Sequence, residues 1–469
     1  MKVEQIYTGC LAQGAYYIQS KGEAAIIDPL REVKPYLERA EKDGVKIKYI
    51  FETHFHADFV SGHVTLAEKT GAPIVFGPNA NPKFDAHIAE DGEEFKIGDV
   101  TIKVLHTPGH TMESSTYLLK DASGKDHAVF SGDTLFLGDV GRPDLAQKGA
   151  ELTQEDLAGC LFDSLRTKIM TLADEVIVYP AHGAGSACGK NMSKETVGSI
   201  GDQKQNNYAL RADMTKEEFI QELTDGLMPP PAYFPLNVKM NKEGYASFDD
   251  VLNKGMNPLS PVEFEAVVNQ TGALMLDVRN QKDFCAGHVP NSIFIGLDGN
   301  FAPWVGELIV DVKQPIVLIA PEGREEEALT RLARVGFDGT LGYLQGGVQA
   351  WKASGKDVET LKSISAEEFQ DLYPTVKESV FDVRKPGEYQ SEHVVDAENT
   401  PLSDLNDFIA SFPKEGTSYI HCAGGYRSVI ASSMLKARGI HNLVDIAGGY
   451  GSIKGTTIPR TAYVCPSTL

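Results

Sequence analysis

A short loop early in the chain carries three side chains that could bind a metal ion. His54, His56 and Asp58 occupy alternating positions after an apolar run, residues 48–51, that predicts a strand. Side chains alternate in this way along extended backbone, whereas neighbours on a helix face lie three or four residues apart. Imidazole and carboxylate ligands together suit a transition metal. The loop therefore predicts a metal site, and Phe59 takes the position where a second metal would need a further ligand.

A second reactive centre is predicted around Cys422. The run Cys-Ala-Gly-Gly-Tyr-Arg-Ser, residues 422–428, follows a predicted strand and precedes a predicted helix. Backbone N–H groups in such a loop form an anion-binding nest, and a helix amino terminus with a nearby arginine favours a thiolate. A thiolate there can accept a sulfur atom, hold it as a persulfide and pass it on. Cys422 and Arg427 are the predicted catalytic residues, and Gly424 and Gly425 are predicted to bind substrate.

Composition limits the classes of protein that need to be considered. The 469 residues suffice for about two to four domains, and 42% hydrophobic with 23% charged residues is typical of a soluble globular protein. The net charge of −21, without a lysine or arginine cluster, argues against a nucleic-acid partner. No apolar run approaches the roughly 20 residues that span a bilayer, and the first residues do not resemble a signal peptide. Six scattered cysteines fit a reducing compartment, so we expect a cytoplasmic protein without a membrane partner.

Four further polar motifs follow predicted strands within the first 200 residues or so. They are Thr-Pro-Gly-His-Thr at 107–111, Ser-Gly-Asp-Thr-Leu-Phe at 131–136, Gly-Arg-Pro-Asp at 141–144 and Pro-Ala-His-Gly at 180–183. Together with the first loop, they resemble the metallo-β-lactamase superfamily in its order H-x-H-x-D…H…D…H. The resemblance implies an αββα sandwich with the metal at one edge of its two sheets.

Two kinds of metal centre occur in that superfamily. His54, His110 and Asp133 make a two-histidine, one-carboxylate set, which is typical of non-haem Fe(II) oxygenases because it leaves open positions. The superfamily also contains binuclear zinc hydrolases, whose second metal uses the aspartate of the first motif, the histidine after it and a late histidine.

The second metal would lack one ligand here. Asp58 and His182 are retained, but Phe59 replaces the histidine that would follow the aspartate. This difference favours a single metal. His56, Asp58 and His182 are then predicted either to orient the ligands or the substrate, or to be additional metal ligands.

The remainder of the chain repeats itself. Matched positions lie 105 residues apart at first and 102 apart later. The matches are Ser260 with Ser365, both opening capping boxes, Asp277-Val278-Arg279 with Asp382-Val383-Arg384, Phe284 with Tyr389, His288 with His393, Leu297 with Leu402, and Gly346-Gly347 with Gly448-Gly449. Each repeat alternates short strands with helices, which predicts a parallel α/β sheet. The pattern resembles the rhodanese family of sulfurtransferases. The first repeat has no cysteine opposite Cys422, so we expect it to be inactive and to serve as a scaffold or docking domain.

Three domains are therefore predicted. A metallo-β-lactamase-like domain spans 1–257 with a connecting region at about 203–257, an inactive rhodanese-like domain spans 258–357, and an active one spans 358–469. The connecting region contains a proline-rich run at 228–235. Such a run is stiff, and it is predicted either to be a spacer or to pack over a pocket.

A single-metal domain of this kind, joined to rhodanese repeats, resembles the persulfide dioxygenase–rhodanese fusion family. The resemblance implies one Fe(II) per chain, held by His54, His110 and Asp133. It implies oxidation of a low-molecular-weight thiol persulfide by O2 to sulfite and the free thiol, in sulfide detoxification. Cys422 would then form or use thiosulfate. The resemblance is compatible with a homo-oligomer, and the identity of the thiol carrier is left open.

Two further residues have two predicted roles each. Arg142 is a candidate for holding an anionic thiol carrier, since guanidinium pairs well with carboxylate or phosphate, or it braces its loop through Asp144. Cys188 follows His182 closely, so it either relays persulfide or is an inert thiol in a glycine-rich turn.

Two other functions stay open. The retained Asp58 and His182 would suit a zinc thioester hydrolase of the glyoxalase II type, fused to a sulfurtransferase. A persulfide carrier or sensor without catalysis is the third alternative. The identity and number of bound metal ions distinguish the zinc hydrolase from the iron dioxygenase.

Overall fold

The computed structural model describes residues 1–145, 152–227 and 229–465. The chain forms two compact units, Met1–Asp250 with Leu332–Phe337, and Val251–Arg331 with Asp338–Leu469. The predicted boundaries after residues 257 and 357 stay predictions, and Met228 of the proline-rich run lies outside the described residues. Within the described parts of the chain, no helix is long and apolar enough to cross a membrane.

A mixed sheet forms the first half of the first unit. Its elements are β1 (Lys2–Thr8), β2 (Gln13–Ser20), β3 (Glu23–Ile27), α1 (Lys34–Asp43), β4 (Lys46–Phe51), α2 (His63–Thr70), β5 (Ile74–Phe76) and β6 (His87–Ile88). The six strands lie in chain order, with β1 to β3 antiparallel and β3 to β6 parallel. Strands β2 and β3 are almost wholly buried, as expected where both faces of a sheet are covered.

A second six-stranded sheet and several helices form most of the remainder of this unit. They are β7 (Glu94–Ile97), β8 (Val100–His106), β9 (Ser115–Lys120), β10 (Asp126–Gly132), α3 (Gln154–Ser164), β11 (Ile177–Pro180), β12 (Gly198–Ser199), α4 (Ile200–Asn206), α5 (Lys216–Thr224) and α6 (Phe234–Glu243). The next helix, α7 (Phe248–Gly255), begins in the first unit and ends in the second. One apolar cluster joins β2, β3 and β4 to β8, β9 and β10, so the two sheets face each other. Helices α1 and α2 cover the outer face of the first sheet, and α3 and α5 cover that of the second. The predicted αββα sandwich is confirmed.

The strand directions bring the predicted ligands to one sheet edge. Strand β9 is antiparallel to β8 and β10, while β11 is parallel to β10. The carboxyl ends of β8, β10 and β11 therefore lie at the same edge. His110, Asp133 and His182 follow these three ends in turn.

The rest of the chain forms two repeats with the same strand order. The middle repeat comprises β13 (Pro258–Leu259), α8 (Pro261–Thr271), β14 (Leu274–Asp277), α9 (Gln281–Ala286), β15 (Ile293–Phe294), α10 (Phe301–Leu308), β16 (Ile316–Ile319), α11 (Glu325–Arg334), β17 (Thr340–Leu344) and α12 (Gly347–Ala353). The last repeat comprises β18 (Lys362–Ile364), α13 (Ala366–Val376), β19 (Val380–Asp382), α14 (Pro386–Ser391), β20 (Glu398–Asn399), β21 (Ser418–His421), α15 (Arg427–Lys436), β22 (Leu443–Ile446) and α16 (Gly449–Ile453). Their sheets read β13-β17-β16-β14-β15 and β18-β22-β21-β19-β20, and all pairs are parallel. The predicted parallel α/β repeats are confirmed.

The repeats also share local packing. The His288 ring stacks on Phe284 with centroids 4.0 Å apart, and His393 stacks on Tyr389 at 3.7 Å. Each histidine donates from Nδ1 to the carbonyl of its aromatic partner. The capping boxes at Ser260 and Ser365 are both formed, so equal sequence positions make equal contacts.

Candidate functional site

Three of the predicted ligands meet at the sheet edge. His54, His110 and Asp133 are buried, and each offers a ligand atom within 4.8 Å of the others. Asp133 Oδ2 lies 3.4 Å from His110 Nε2 and 3.8 Å from His54 Nε2. This oxygen is buried and accepts no hydrogen bond. A buried polar atom is normally satisfied, so this donor set fits a bound metal cation.

Hydrogen bonds at Nδ1 orient the imidazole rings of His54 and His110 so that each Nε2 faces Asp133 Oδ2. His110 Nδ1 donates to the carbonyl oxygen of Arg142 at 2.8 Å, which leaves the Nε2 lone pair free. Thr53 Oγ1 donates to Asp28 Oδ2 at 2.9 Å, so its lone pair accepts from His54 Nδ1 at 3.0 Å. Such partners fix the tautomer and the ring orientation of metal-binding histidines.

Two glycines permit the close approach of these loops. A Cβ on Gly141 would lie 2.1 Å from the carbonyl oxygen of Asp133. Gly132 has φ +55°, and a Cβ there would meet the Thr53 side chain at 2.7 Å. The glycines of the predicted motifs therefore bring the ligand-bearing loops together.

The electrostatics keep the ligand atoms available to a cation. Burial, and next the neighbouring His56, lower the pKa of His54 well below its usual range. Burial alone would raise the pKa of Asp133, but His182, His54 and His110 outweigh it and hold that pKa far below its usual range. Neutral imidazole and ionised carboxylate are the forms that bind metal.

The other polar residues of the first motif form a neighbouring group. His56, Asp58 and His182 also offer ligand atoms within 4.8 Å of one another. His182 Nδ1 donates to Asp133 Oδ1 at 2.8 Å, and its Nε2 lies 2.8 Å from Asp58 Oδ2 without the alignment of a hydrogen bond. Burial alone would lower the pKa of His182, but the two carboxylates outweigh it and raise the pKa well above its usual range. Phe59 is fully buried with its ring 4.3 Å from that of His56, so an apolar side chain borders this group.

His56 also faces a pair of buried carboxyl groups. Its Nε2 lies 3.2 Å from Asp28 Oδ1 and 3.6 Å from Glu52 Oε2. Burial, and next the nearby Asp28, raise the pKa of Glu52 well above its usual range. His56 therefore lies between these carboxyl groups and the group around His182.

Helix α6 fixes the metal loop, residues 53–59. Asn241 Nδ2 donates to the carbonyl oxygens of His56 and Phe59, both at 2.8 Å. Its Oδ1 accepts from the Ser61 N–H at 2.8 Å. Since α6 begins at Phe234, inside the predicted connecting region, that region is packed into the first unit rather than serving only as a spacer.

Arg142 and Cys188 lie beside the metal centre. The guanidinium donates to both oxygens of Asp144, at 2.6 and 2.7 Å, and to a backbone carbonyl. This geometry matches the bracing role, and the carrier-binding role stays a prediction. Cys188 is buried with its sulfur near Asp133 and His182, and burial raises the pKa of its thiol well above the usual range. Proximity would allow a relay, whereas the raised pKa suits an inert thiol, so both predicted roles of Cys188 stay predictions.

The thiol loop, residues 422–428, surrounds the sulfur of Cys422. The sulfur is buried and accepts from the Gly425 N–H at 3.1 Å, where φ is +87°. Arg427 does not extend freely into the loop, because both terminal nitrogens donate to Glu388 at 2.7 and 2.9 Å. Gly424 is exposed at the loop surface.

Three residues near this sulfur have no role in the sequence-based prediction. Ser428 Oγ lies 3.6 Å from the Cys422 sulfur and donates to Asp445 Oδ1 at 2.6 Å. Ser363 Oγ donates to the other oxygen of Asp445 at 2.8 Å. A position-by-position alignment of the two repeats singles out all three residues, because the middle repeat has different residues at the corresponding positions.

The middle repeat supports the thiol loop through one aromatic side chain. Tyr426 donates its hydroxyl to the carbonyl of Gly296 at 2.7 Å. A Cβ on Gly299 would lie 2.2 Å from the same ring, so only glycine fits beneath it. Phe294 adds an edge contact at 5.9 Å. These contacts connect the middle repeat to the thiol loop.

Comparison with known families agrees with this architecture. The model of the Metallo-beta-lactamase superfamily matches residues 8–182, and that of the Rhodanese-like domain matches 260–354 and 365–456. A metallo-β-lactamase structure from Staphylococcus aureus subsp. aureus COL is 31% identical, with a TM-score of 0.64, and the match covers 73% of this chain and 98% of that one. The chain belongs to the metallo-β-lactamase superfamily. Its metallo-β-lactamase domain is followed by two rhodanese-like domains.

Two curated relatives differ in their activities. The mitochondrial persulfide dioxygenase ETHE1 of Homo sapiens is 29% identical over 221 residues, which is 47% of this chain and 78% of the relative. The hydroxyacylglutathione hydrolase of Rhizobium etli is 38% identical over 164 residues, which is 34% of this chain and 57% of the relative. Both matches favour an enzyme of the metallo-hydrolase or persulfide dioxygenase type, with rhodanese domains attached.

Proposed function

We propose that the first domain is an Fe(II)-dependent persulfide dioxygenase, and that Cys422 transfers persulfide sulfur as a rhodanese. The observation that carries this proposal is the pairing of a two-histidine, one-carboxylate group with a buried thiol in a glycine loop on one chain. The similarity to a persulfide dioxygenase over 221 residues supports it. Small-molecule thiol persulfide, O2, sulfite and thiosulfate are the proposed substrates and products, and sulfide detoxification is the proposed context.

His54, His110 and Asp133 would hold one ferrous ion, with three ligands and open positions beside them. Bound there, Fe(II) supplies a redox centre for R–S–S–H + O2 + H2O → R–S–H + sulfite + 2 H⁺. Thr53 and the Arg142 carbonyl hold the two imidazole rings so that Nε2 faces Asp133. The surrounding burial excludes bulk water from the ligand atoms.

The phenylalanine at position 59 supports one metal rather than two. Its ring is fully buried against His56, where a zinc hydrolase of this superfamily would have a ligand. His56, Asp58 and His182 are then proposed to position the ligands of the single ion. The Nδ1–H of His182 does this directly, because it fixes the carboxylate plane of Asp133.

In the sulfur-transfer step, the thiolate of Cys422 attacks the outer sulfur of a persulfide or thiosulfate. The S–S bond of the donor breaks, and the leaving thiolate or sulfite takes the electron pair. The Gly425 N–H stabilises negative charge on the Cys422 sulfur. Arg427 is held close by Glu388 and contributes positive charge to the pocket.

Oxygen dependence tests the dioxygenase proposal. Protein reconstituted anaerobically with Fe(II) should bind persulfide but form sulfite only after O2 is admitted. Cys422→Ser should abolish sulfur transfer and leave oxygen uptake largely intact, because Ser cannot carry persulfide. Sulfite formed equally fast without O2 would contradict the proposal.

A zinc thioester hydrolase is the second candidate function. The close group of His56, Asp58 and His182 favours it, since those residues could hold another ion. The similarity to a hydroxyacylglutathione hydrolase supports it over the same domain. Metal analysis of protein purified without added metal separates the two: one iron per chain supports oxidation, and two zinc ions support hydrolysis.

A further inference from the structure

The two rhodanese-like repeats allow a comparison within one molecule, because they share a fold and only the last repeat has a cysteine at the position of Cys422. Strands β16 and β21, with the helices that follow them, correspond at an offset of 102 residues, so Ala320 stands where Cys422 does. Residues needed for folding should persist in both repeats. Residues that serve the thiol should be lost with it.

The residues that connect the Cys422 thiol to Asp445 through hydrogen bonds are lost together with the thiol. Cys422 sulfur contacts Ser428 Oγ at 3.6 Å, and Ser428 Oγ donates to Asp445 Oδ1 at 2.6 Å. At the same offset, Glu326 replaces Ser428 and Tyr343 replaces Asp445. The serine and the aspartate are therefore both lost together with the cysteine.

The third member of the path shows the same difference. Ser363 is the strand partner of Asp445 and donates to its other oxygen at 2.8 Å. In the middle repeat, Pro258 occupies the corresponding place as the strand partner of Tyr343. Proline has no hydroxyl to donate, so the middle repeat lacks both hydroxyl donors as well as the aspartate that accepts from them.

A purely structural role does not explain Asp445. The residue is 2% exposed, and within the described residues no basic side chain forms an ion pair with it. Burying an unpaired carboxylate opposes folding. The sheet of the middle repeat has tyrosine at the corresponding position, so the fold does not require a carboxyl group there.

We propose that Asp445 stores the proton that Cys422 gives up, with the hydroxyl of Ser428 passing it between them. This inference rests on the proposed sulfur transfer at Cys422. In the resting form, the thiol donates to Ser428 Oγ and the Ser428 hydroxyl donates to ionised Asp445. In the reactive form, both protons have moved one step, so that protonated Asp445 donates to Ser428 and Ser428 donates to the thiolate.

The proton shift conserves charge within the buried pocket. The S–H bond of Cys422 breaks, one O–H bond forms on the carboxyl group, and the pocket carries one negative charge before and after. No proton crosses to water. When an acceptor takes the outer sulfur of the Cys422 persulfide, the sulfur of Cys422 is released as a thiolate. The same two hydrogen bonds then return the proton from Asp445 to Cys422. Burial raises the pKa of Asp445, which lowers the cost of moving a proton from the thiol to the carboxyl group.

Other charged and titratable groups face this path from several elements. Burial, followed by the nearby Asp445, raises the pKa of the Cys285 thiol on α9 to about 12. The remaining groups lie on α14, α15, β19 and β21, and they are Glu388, Arg427, Asp382 and His421. None of these hydrogen-bonds to Ser428, so the path to Asp445 can be interrupted separately.

The pH dependence of alkylation tests the proposal on the full chain. Iodoacetamide modification of Cys422, followed by peptide mass spectrometry between about pH 5 and pH 10, needs no sulfur donor. The wild-type logarithmic rate should rise twice with a shallow region between, because a stored proton makes the thiolate fraction nearly independent of pH there. Asp445→Asn, whose amide can donate but takes no proton, should give a single rise.

Variants of one helix provide the matched controls. Ser428→Ala should slow alkylation at the acid end by about tenfold, since a hydrogen bond to a charged atom is lost. Ser428→Thr keeps the hydroxyl and should restore the wild-type profile. Ser432→Ala removes a buried hydroxyl one turn away, which only bonds its own helix, and should change nothing.

Each result decides for or against the proposal. Two rises that persist in Asp445→Asn would overturn it, and so would a single rise in the wild-type chain. Equal slowing by Ser432→Ala, or a Thr variant that fails to recover, would assign the effect to packing instead. A chain that transfers no sulfur but shows the two-step profile would refute the sulfur-transfer function and leave the Asp445 inference intact.

Discussion

Removing the hydroxyl of Thr53 should weaken metal binding without removing a ligand. In Thr53→Val, His54 Nδ1 loses its acceptor at 3.0 Å and Asp28 Oδ2 loses its donor at 2.9 Å. Loss of such an orienting partner typically lowers metal affinity about 10- to 100-fold, or roughly 1.4–2.7 kcal/mol. The buried Asp28 keeps the Thr53 N–H at 2.7 Å, so we expect a folding cost of about 1–3 kcal/mol rather than unfolding.

The assay is anaerobic competition for Fe(II) against a chelator, paired with denaturant unfolding of the metal-free chain. Thr53→Ser keeps the hydroxyl and should retain most of the affinity. Thr116→Val is the matched control, because Thr116 is a fully buried threonine whose hydroxyl contacts Thr107 and the Ser131 carbonyl instead of a ligand. Wild-type iron affinity in Thr53→Val, together with a measurable loss of stability, would refute the idea that Thr53 orients His54.

Three further predictions test other parts of the molecule. Gly299→Ala should push the Tyr426 ring out of its place and lower sulfur transfer roughly 10- to 100-fold, while oxygen uptake, measured in the same samples, stays constant. Phe59→His should raise the number of metal ions bound per chain from one to two, measured by mass spectrometry after loading the metal-free protein with zinc, because it restores a ligand; an unchanged count would contradict the single-metal role of Phe59. Burial lowers the pKa of His288 to about 4 in the folded chain. As the pH falls from about 6.5 to 4, this histidine is therefore protonated in the unfolded chain but not in the folded one, and the stability of the folded chain should fall. His288→Asn should reduce that loss in the free energy of unfolding by about 2–3 kcal/mol, as measured by denaturant unfolding at each pH. An unchanged dependence of stability on pH would contradict the role of the buried His288 ring.

The fold was predictable because its signals are local and repeated. The capping boxes at Ser260 and Ser365 depend on residues three apart, and both form. The 105-residue spacing between the Asp-Val-Arg runs predicts two copies of one domain, and the two sheets have the same strand order. The sandwich followed from a resemblance instead: the order of histidines and aspartates in the first domain matches the metallo-β-lactamase superfamily, whose members have this fold.

Other features depend on contacts between distant residues, which no local pattern reports. The Asn241 side chain fixes the metal loop from a helix more than 180 residues away, and nothing in the sequence of α6 indicates that contact. The sequence predicts two roles for Arg142, because an anionic carrier and Asp144 are both suitable partners for a guanidinium. In the structure the guanidinium donates to both carboxylate oxygens of Asp144. Charge and spacing alone cannot select between partners that are equally suitable chemically.

The comparison between the repeats separates folding from chemistry in this molecule. Asp277 and Asp382 are both fully buried, and each pairs with the arginine two residues later at 2.6 Å. Since the pair survives where the thiol is gone, its buried charge serves the fold, although it lies in the same repeat as Cys422. Asp445 is buried to a similar degree, but tyrosine stands at the corresponding position of the middle repeat. Burial and charge are therefore insufficient to assign a function, and persistence in the repeat without a cysteine at the position of Cys422 is the criterion that divides these carboxyl groups.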